Sequence, residues 1–360
     1  MNERTALIAL AHIVEPGDER MGMLVDRLGA VAAVRAVSSD PRRMFDGPRA
    51  RLRAVDATSA DECAVGVGAR LVTRVDADWP KPLDDLGARR PFALWVRGSV
   101  SLSMLDRSIA VVGARASTAY GEAVCRAWSS EFVASRYAVV SGGAFGIDAV
   151  AHRAVLAAGG VTACVLAGGV DVAYPRAHEA LIGAVAEAGL VISESPPGSE
   201  VRRQRFLTRN RIIAAMTRAT IVVEAAWRSG TASTAHAAAE LTRPICAVPG
   251  PVTSPASAGC HRLIADGVAS IALSAQDVIA MAGPLGEALL VDAPPRPTDG
   301  LTYVQARLLD SFPASGAVDL SDLQVRSGLA LTEVAEALSF LVHQGAVTSV
   351  GSGWMLAGRG

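Results

Sequence analysis

The stretch from Ser108 to Asp148 constrains the fold more than any other part of this chain. An apolar run from Ile109 to Val112 ends in a glycine turn, a helix-like segment follows, and a second apolar run ends in closely spaced glycines. A strand, a helix and a strand in this order predict a βαβ unit with parallel strands. Helices that begin at such turns direct free N–H groups and positive dipole ends outward. The two turns therefore predict a site for an anion, above all a phosphate.

The same alternation continues to about residue 282. Runs of Val, Ile and Ala end in glycine or polar residues at intervals of about 24 to 31 residues, which is the spacing of successive βαβ units. The predicted strands end at Val112, Ser141, Ala167, Ser193, Glu224 and Val248. The predicted fold class is therefore α/β, with an open, mostly parallel sheet flanked by helices over residues 75–285.

Different patterns flank this core. Apolar residues at helical spacing predict an N-terminal helical domain over 1–70, of the SAM-like or helix-hairpin-helix-like kind. The sequence VDAPPRPTDG predicts a proline-rich linker over 286–300, because proline cannot propagate a helix. Three helical periods and a short β-like stretch predict a winged helix over 301–360. That segment has five acidic residues against three arginines. We expect it to pack or to bind a partner, with DNA reading as the open alternative.

Composition limits the classes of function. The formal net charge is -1, so no global basic field attracts nucleic acid, and a polyanion site must be local. The five cysteines lack metal-ligand spacing, so no metal site is predicted, and Cys164 and Cys246 lie in apolar strand-like runs that predict reduced core residues. The N-terminus lacks a basic-then-apolar leader, and no apolar run approaches the roughly 18 residues that span a bilayer. We expect a cytoplasmic protein with no membrane partner.

The polar strand ends should converge on one crevice, because parallel strands share one carboxyl edge. A single glycine after a strand is usually only a tight turn, but several together predict a site. The first glycine turn carries Arg115 in place of a dinucleotide fingerprint, and the second strand ends in Ser141 where that fold needs an acid. Lys81 is the only lysine of the sequence, so a P-loop is excluded. No cofactor is predicted.

Positive charge is concentrated between Glu200 and Arg218, where six arginines stand against one acid. Arginine forks that hold phosphates beside an aromatic face, here Phe206, suit single-stranded nucleic acid. A solvated helix start is the plain alternative. Arg115 and Arg176 would add charge at the same edge of the sheet.

Several motifs in order make a specific resemblance. They are VVGARASTAYG, SGGAFGIDAVAH, LAGGVDVAYPRAH, ISESPPG, RFLTRNRIIAAM, VVEAAWRSGTASTA and AVPGPVTS. Over about 75 to 280 the sequence resembles the DNA-processing protein A family, also called DprA or Smf. The resemblance implies an extended Rossmann core that binds single-stranded DNA in a basic pocket and forms a homodimer. It also implies a protein without catalysis that protects incoming single strands and loads the RecA recombinase onto them during natural transformation or recombination.

The strand ends and the resemblance together nominate site residues. Those predicted to bind DNA are Gly113, Arg115, Ser117, Ser141, Gly142, Gly143, Gly146, Arg176, Arg203, Phe206, Arg209, Asn210, Arg211, Ser229 and Gly230. Asp148 and Glu224 are expected to fix loops through backbone hydrogen bonds, because a carboxylate facing DNA would repel it. His261, in SAGCHRLIADG, looks like part of the family's dimer surface. Leu207-Thr208 and Ala232 depart from the family's pattern.

The sequence argues against two other classes of protein. A Rossmann-like nucleotide or nucleotide-sugar hydrolase would need paired glutamates after its second glycine motif. Here Ser229-Gly230-Thr231 is followed by Ala232, and the nearest glutamate is Glu240. A winged-helix transcription regulator would place basic residues on 331–344, which has no lysine or arginine. The sequence leaves open whether transformation or repair is the physiological setting.

Overall fold

A computed structural model describes residues 1–39, 44–57, 59–227, 230–283, 300–313 and 316–357. Its internal contacts divide the chain into two compact units, Met1–Leu289 and Leu290–Gly360. The predicted linker 286–300 lies outside the described residues, apart from Gly300. The predicted domain boundaries stay predictions.

Five helices occupy the described residues that precede the sheet. They are α1 Glu3–Ile13, α2 Glu19–Leu28, α3 Ala30–Ser39, α4 Asp46–Leu52 and α5 Ala60–Gly66. The Asn2 side chain caps α1 by accepting from the Thr5 N–H, and Asp18 caps α2 in the same way. The edge of the His12 ring meets Trp95 of the sheet at a centroid distance of 5.3 Å. The prediction of a helical N-terminus is confirmed, and these helices share one hydrophobic cluster with the sheet.

Nine strands of the described residues form one sheet in the order β1-β2-β6-β5-β4-β3-β7-β8-β9. The strands are β1 Ala69–Thr73, β2 Ala93–Arg97, β3 Ser108–Val112, β4 Ala138–Ser141, β5 Thr162–Leu166, β6 Leu190–Ser193, β7 Ala219–Val222, β8 Ile245–Ala247 and β9 Ser270–Ile271. Strand β2 pairs antiparallel with both β1 and β6, and all other neighbouring strands of this sheet pair in parallel. The predicted mostly parallel sheet is confirmed.

The strand order reverses direction at β3. This strand pairs with β4 on one side and with β7 on the other, although β7 comes much later in the chain. In open α/β sheets, such a switch point leaves a crevice outside the carboxyl ends of the two strands, because the connecting helices depart to opposite faces. The crevice here lies beyond Val112 and Val222.

Helices cover both faces of this sheet. They are α6 Ala119–Ala134, α7 Ile147–Ala157, α8 Glu179–Ala188, α9 Arg203–Met216, α10 Thr231–Glu240, α11 Ala258–Ala265 and α12 Ala275–Ala282, with 3₁₀ helices at Lys81–Arg89, Leu102–Arg107 and Arg176–His178. Within β3, Ile109 and Val111 join one hydrophobic cluster while Ala110 and Val112 join another. Burial on both faces explains why the strand sequence is apolar throughout.

The described residues of the second unit form three helices and a hairpin. The helices are α13 Tyr303–Asp310, α14 Leu320–Ser327 and α15 Leu331–His343, and the antiparallel strands are β10 Val347–Val350 and β11 Gly353–Leu356. Leu308, Leu323, Val334 and Leu341 are buried in their shared core. These elements occupy the segment for which a winged helix is predicted, and that fold assignment stays a prediction.

Candidate nucleic-acid interface

A cleft of about 880 Å³ opens at the switch point between β3 and β7. The turn after β3, the turn after β4, the first half of α9 and the start of α10 line it. The predicted residues that line it, among those the structure describes, are Gly113, Arg115, Arg203, Phe206, Arg209, Asn210 and Gly230, together with Asp148. The strand ends therefore converge on one site.

A buried arginine lies at the floor of the cleft. Arg209 is 7% exposed, and its Nη1 donates to the carbonyl oxygens of Gly142, at 2.9 Å, and Val165. Its Nε donates to Asn210 Oδ1 at 3.1 Å, and Asn210 Nδ2 donates to Ser233 Oγ at 2.5 Å. Burial lowers the pKa of Arg209, and the nearby Asp148 opposes that shift. The guanidinium is thus fixed in direction by carbonyls and supplies charge from beneath the turn.

Asp148 holds the glycine turn in shape. Its Oδ2 accepts hydrogen bonds from the N–H groups of Gly142 at 3.2 Å and Ala144 at 3.3 Å. Burial raises the pKa of Asp148, while Arg209 and the two N–H donors favour the ionised carboxylate. Gly146 begins α7 with φ of 73°, and a Cβ there would lie 2.2 Å from Ala114 O. Only glycine fits this close approach between the two turns.

Three side chains form a stack at the rim of the cleft. The guanidinium carbon of Arg115 lies 5.3 Å from the centre of the Phe206 ring, and the Tyr174 ring lies 5.3 Å from the same ring at 56°. Arg115 is exposed and Tyr174 is 45% exposed. Tyr174 was not among the predicted site residues, although its position just after the third parallel strand was visible in the sequence. The stack offers a cation beside aromatic faces.

Glu224 fixes the first turn. It is 1% exposed, and its carboxylate accepts from the Thr118 N–H at 2.9 Å and the Thr118 hydroxyl at 2.6 Å. Thr231 Oγ1 also donates to Gly113 O at 3.0 Å, which joins the start of α10 to the same turn. Ser117 donates to Glu122 at 2.8 Å and is not among the residues that line the cleft.

Two predicted DNA-binding residues point elsewhere. Ser141 is fully buried, and its hydroxyl donates to Val111 O at 2.6 Å, so it ties β4 to β3. Arg211 is 5% exposed and donates from Nη2 to both carboxylate oxygens of Glu194 at 2.8 Å. Arg209 and Arg211 are two positions apart on α9, and each position turns a helix by about 100°, so both cannot face the cleft. The side chains of Ser141 and Arg211 therefore have structural roles in this fold.

The remaining predicted residues lie at the margins. Arg176 is exposed at the start of a 3₁₀ helix and is not among the cleft-lining residues. Gly143, with φ of 68°, accepts from His178 Nδ1 at 3.0 Å. His261 is partly buried, with Nε2 3.0 Å from Gly250 O. Ser229 lies outside the described residues.

Metal-binding groups, thiols and membrane-spanning helices can each be assessed in the described part of the chain. No group of three or more His, Cys, Asp or Glu side chains there could hold a metal ion. Burial raises the pKa values of Cys125, Cys164, Cys246 and Cys260 to about 12, so these thiols are poor nucleophiles at neutral pH. Among the helices described, none is both long and apolar enough to cross a membrane.

The fold and this cleft define a Rossmann-like α/β protein with an arginine and aromatic site at its switch point. The chain belongs to the DNA recombination-mediator protein A family, whose model matches residues 70–283. It is similar to the putative DNA processing protein DprA of Mycobacterium tuberculosis, with 39% identity over 98% of this chain and 94% of the relative. It is also 40% identical to the DNA processing protein DprA of Streptococcus pneumoniae, over 53% of this chain and 66% of that protein.

Solved structures agree with this membership. The X-ray structure of DprA from Streptococcus pneumoniae matches with a TM-score of 0.66 and 28% identity, covering 78% of this chain and 98% of that one. A structure of DprA from Helicobacter pylori, described for its single-stranded DNA binding mode, matches with a TM-score of 0.53 and 26% identity. That match covers 59% of this chain and 95% of the other.

Proposed function

We propose that this chain is a single-stranded DNA-binding recombination mediator. It acts without catalysis as a cytoplasmic homodimer, protects incoming single strands, and loads RecA onto them during natural transformation or recombination. The observation that carries the proposal is the cluster in which Phe206 contacts both Arg115 and Tyr174, in a cleft that the buried Arg209 also lines. Family membership and the DNA-binding Helicobacter relative support it.

The cleft favours an unpaired strand over a duplex. Phe206 and Tyr174 offer ring faces, on which a base can stack only when it is not already enclosed in a double helix. Arg115 and Arg203 are exposed at the rim, where phosphates of the same strand would pass. Because these groups address phosphates and ring faces, sequence preference should be low.

The alternative predicted from sequence, a nucleotide or nucleotide-sugar hydrolase, needs a free carboxylate at the site. Oδ2 of Asp148 and both carboxylate oxygens of Glu224 accept hydrogen bonds from the N–H and hydroxyl donors that shape the two turns. Glu240, at the far end of α10, pairs with Arg89 at 2.6 Å. These contacts favour the binding function over hydrolysis.

The test is the binding of fluorescent single- and double-stranded oligonucleotides to the wild type and to Arg115→Ala plus Arg203→Ala, over a salt series. We expect preference for single strands, and loss of affinity in the double variant on the order of tenfold or more. The slope of log affinity against log salt should fall by about 0.7 for each lost phosphate contact. Arg20→Ala plus Arg35→Ala, which removes two exposed arginines from α2 and α3, is the matched control.

Equal affinity for single and double strands, or no loss in the cleft variant, would refute the pocket. Loading is measured separately, as acceleration of RecA filament assembly on single strands. The same cleft variant should slow that assembly while the control pair should not.

A further inference from the structure

A second groove lies beside the cleft, between α6 and α7, with a volume of about 780 Å³. We call it the α6–α7 groove. The loop Ala144–Gly146 separates the two: Ala144 lines the cleft, while Phe145 and Gly146 line the groove. A chain that leaves the cleft over this loop would enter the groove directly.

The groove has a small apolar floor and cationic walls. Ala149, Val150 and Ala154 of α7 are buried at its base. Arg126 of α6 and Arg153 of α7 are exposed on opposite sides. The lining positions of each helix recur at every fourth residue over eight positions, so the groove runs along about 12 Å of helix.

Positive charge in the groove is uncommitted. No ion pair within the described residues involves Arg126 or Arg153. The acidic lining residue Glu122 accepts a hydrogen bond from Ser117 at 2.8 Å and is thereby held toward the first glycine turn. His178 is buried and bonded to Gly143 O. Two arginines against one glutamate leave the lining of the groove net positive, which suits an anion that can bridge two helices.

An aromatic side chain marks the junction. Phe145 is 48% exposed, and one side of its ring meets His178 at a centroid distance of 4.6 Å and an angle of 64°. An exposed ring held from one side, between two cationic sites, is suited to stacking a nucleobase.

We propose that the α6–α7 groove binds a second segment of the same single strand that occupies the cleft. Arg126 and Arg153 hold its phosphates, and Phe145 stacks the base at the crossing. This inference rests on the proposed function. The occupant is a polynucleotide because the groove continues from the cleft through one loop and, like the cleft, combines arginines with an exposed aromatic ring.

The experiment varies oligonucleotide length. Affinities of a short oligothymidylate of about five nucleotides and a long one of about 20 are measured for the wild type and for Arg126→Ala plus Arg153→Ala. We expect unchanged affinity for the short strand and loss on the order of tenfold for the long one. The salt slope for the long strand should fall by about 1.4, for two phosphates. Phe145→Leu should lower long-strand affinity as well, and the Arg20 and Arg35 pair is again the control.

Each other outcome overturns the groove assignment. Unchanged long-strand affinity in a groove variant that melts like the wild type would refute DNA binding in the groove. The cleft would still be the DNA site, provided that Arg115→Ala plus Arg203→Ala loses binding. If the cleft variant also binds normally, the proposed function itself fails. Equal losses for short and long strands would place the effect in the cleft. Binding of a polyglutamate peptide that needs Arg126 and Arg153, with normal long-strand affinity, would assign the groove to an acidic peptide instead.

Discussion

The guanidinium of Arg209 fills the space in which a side chain at position 142 would begin. A Cβ built on Gly142 would lie 2.3 Å from Arg209 Nη2, while Arg209 Nη1 donates to Gly142 O at 2.9 Å. The turn after β4 and the helix α9 therefore fix one another, although 67 residues separate these two positions in sequence. The cleft depends on this contact for its floor.

Gly142→Ala should damage both the fold and the site. The added methyl group forces Arg209 or the turn to move, and overpacking of this kind costs about 1 to 3 kcal/mol. We expect a lower melting temperature and weaker binding of single strands, measured by thermal denaturation and by fluorescence anisotropy. Gly183→Ala is the control, because a Cβ at Gly183 in α8 meets nothing within 4 Å. That variant should be slightly stabilised by its better helix propensity. Wild-type affinity in Gly142→Ala would contradict the packing argument.

Phe206→Leu should weaken single-strand binding by about 1 to 3 kcal/mol, because leucine keeps the bulk of the side chain but loses the ring face. Phe206→Tyr should retain most of the affinity. Tyr303 serves as the comparison, because its ring also lies beside an arginine: the guanidinium carbon of Arg307 is 5.9 Å from the ring centre. Tyr303→Leu should leave the affinity of the full chain unchanged. Anisotropy titrations at fixed salt measure all three, and equal effects at Phe206 and Tyr303 would argue against a specific stack.

Arg211→Ala should destabilise the protein by about 3 to 5 kcal/mol, because it leaves the Glu194 carboxylate buried without its partner. Arg211→Met plus Glu194→Gln should recover most of this loss. The recovery is expected because Nε and Nη1 of Arg211 are buried without hydrogen-bond partners in the described structure, so the pair is costly to keep. Urea denaturation gives the free energies. Well below its melting temperature, the double variant should bind single strands normally, and a large loss there would restore Arg211 to the DNA site.

His152 should make the fold sensitive to acid. Its Nδ1–H donates to Thr162 Oγ1 at 2.7 Å, since the Thr162 hydroxyl itself donates to Val139 O at 2.9 Å. Burial lowers the pKa of His152 from 6.5 to about 3, so the folded protein holds the ring neutral. Its contribution to stability is therefore complete above about pH 6.5 and is lost progressively as the pH falls toward about 3.

The measurement is the free energy of unfolding in urea at several pH values within that window. Because the unfolded chain binds one extra proton, the free energy of unfolding falls by about 1.4 kcal/mol for each unit by which the pH is lowered. His152→Gln removes the titrating group, so its slope should be smaller by this amount. Parallel curves for the wild type and the variant would show that other groups carry the acid sensitivity.

The shared carboxyl edge of the parallel strands was predictable from sequence because it depends on the backbone pattern. The glycine after Val112 and the acid after Val223 end two apolar runs, and both are where the prediction placed them, at one carboxyl edge. Direction on α9 was not accessible. Residues Arg209 to Met216 are all buried, so this half of the helix has no exposed polar face that would have shown which arginine lines the cleft.

The groove illustrates the same limit. Arg126 and Arg153 are ordinary surface arginines in their own helices, and only the packing of α6 against α7 sets them across a common floor. Tyr174 is similar, because its meeting with Phe206 depends on the path of the turn after β5. Sequence periodicity identifies elements and edges, while tertiary packing decides which side chains share a cavity.

The N-terminal helical region contacts both the sheet and α9, so removing it from the chain would affect the rest of the fold. The Gly17 N–H donates to Glu194 at 3.2 Å, Glu15 pairs with Arg205 at 2.9 Å, and α1 shares its core with Trp95 and Leu166. A fragment that begins at the sheet would expose to water the apolar side chains that α1 covers, such as Trp95 and Leu166. It would also lose the pair between Glu15 and Arg205 that holds α9. Deletion experiments at this end would therefore report aggregation and a loosened α9, which are consequences of lost packing.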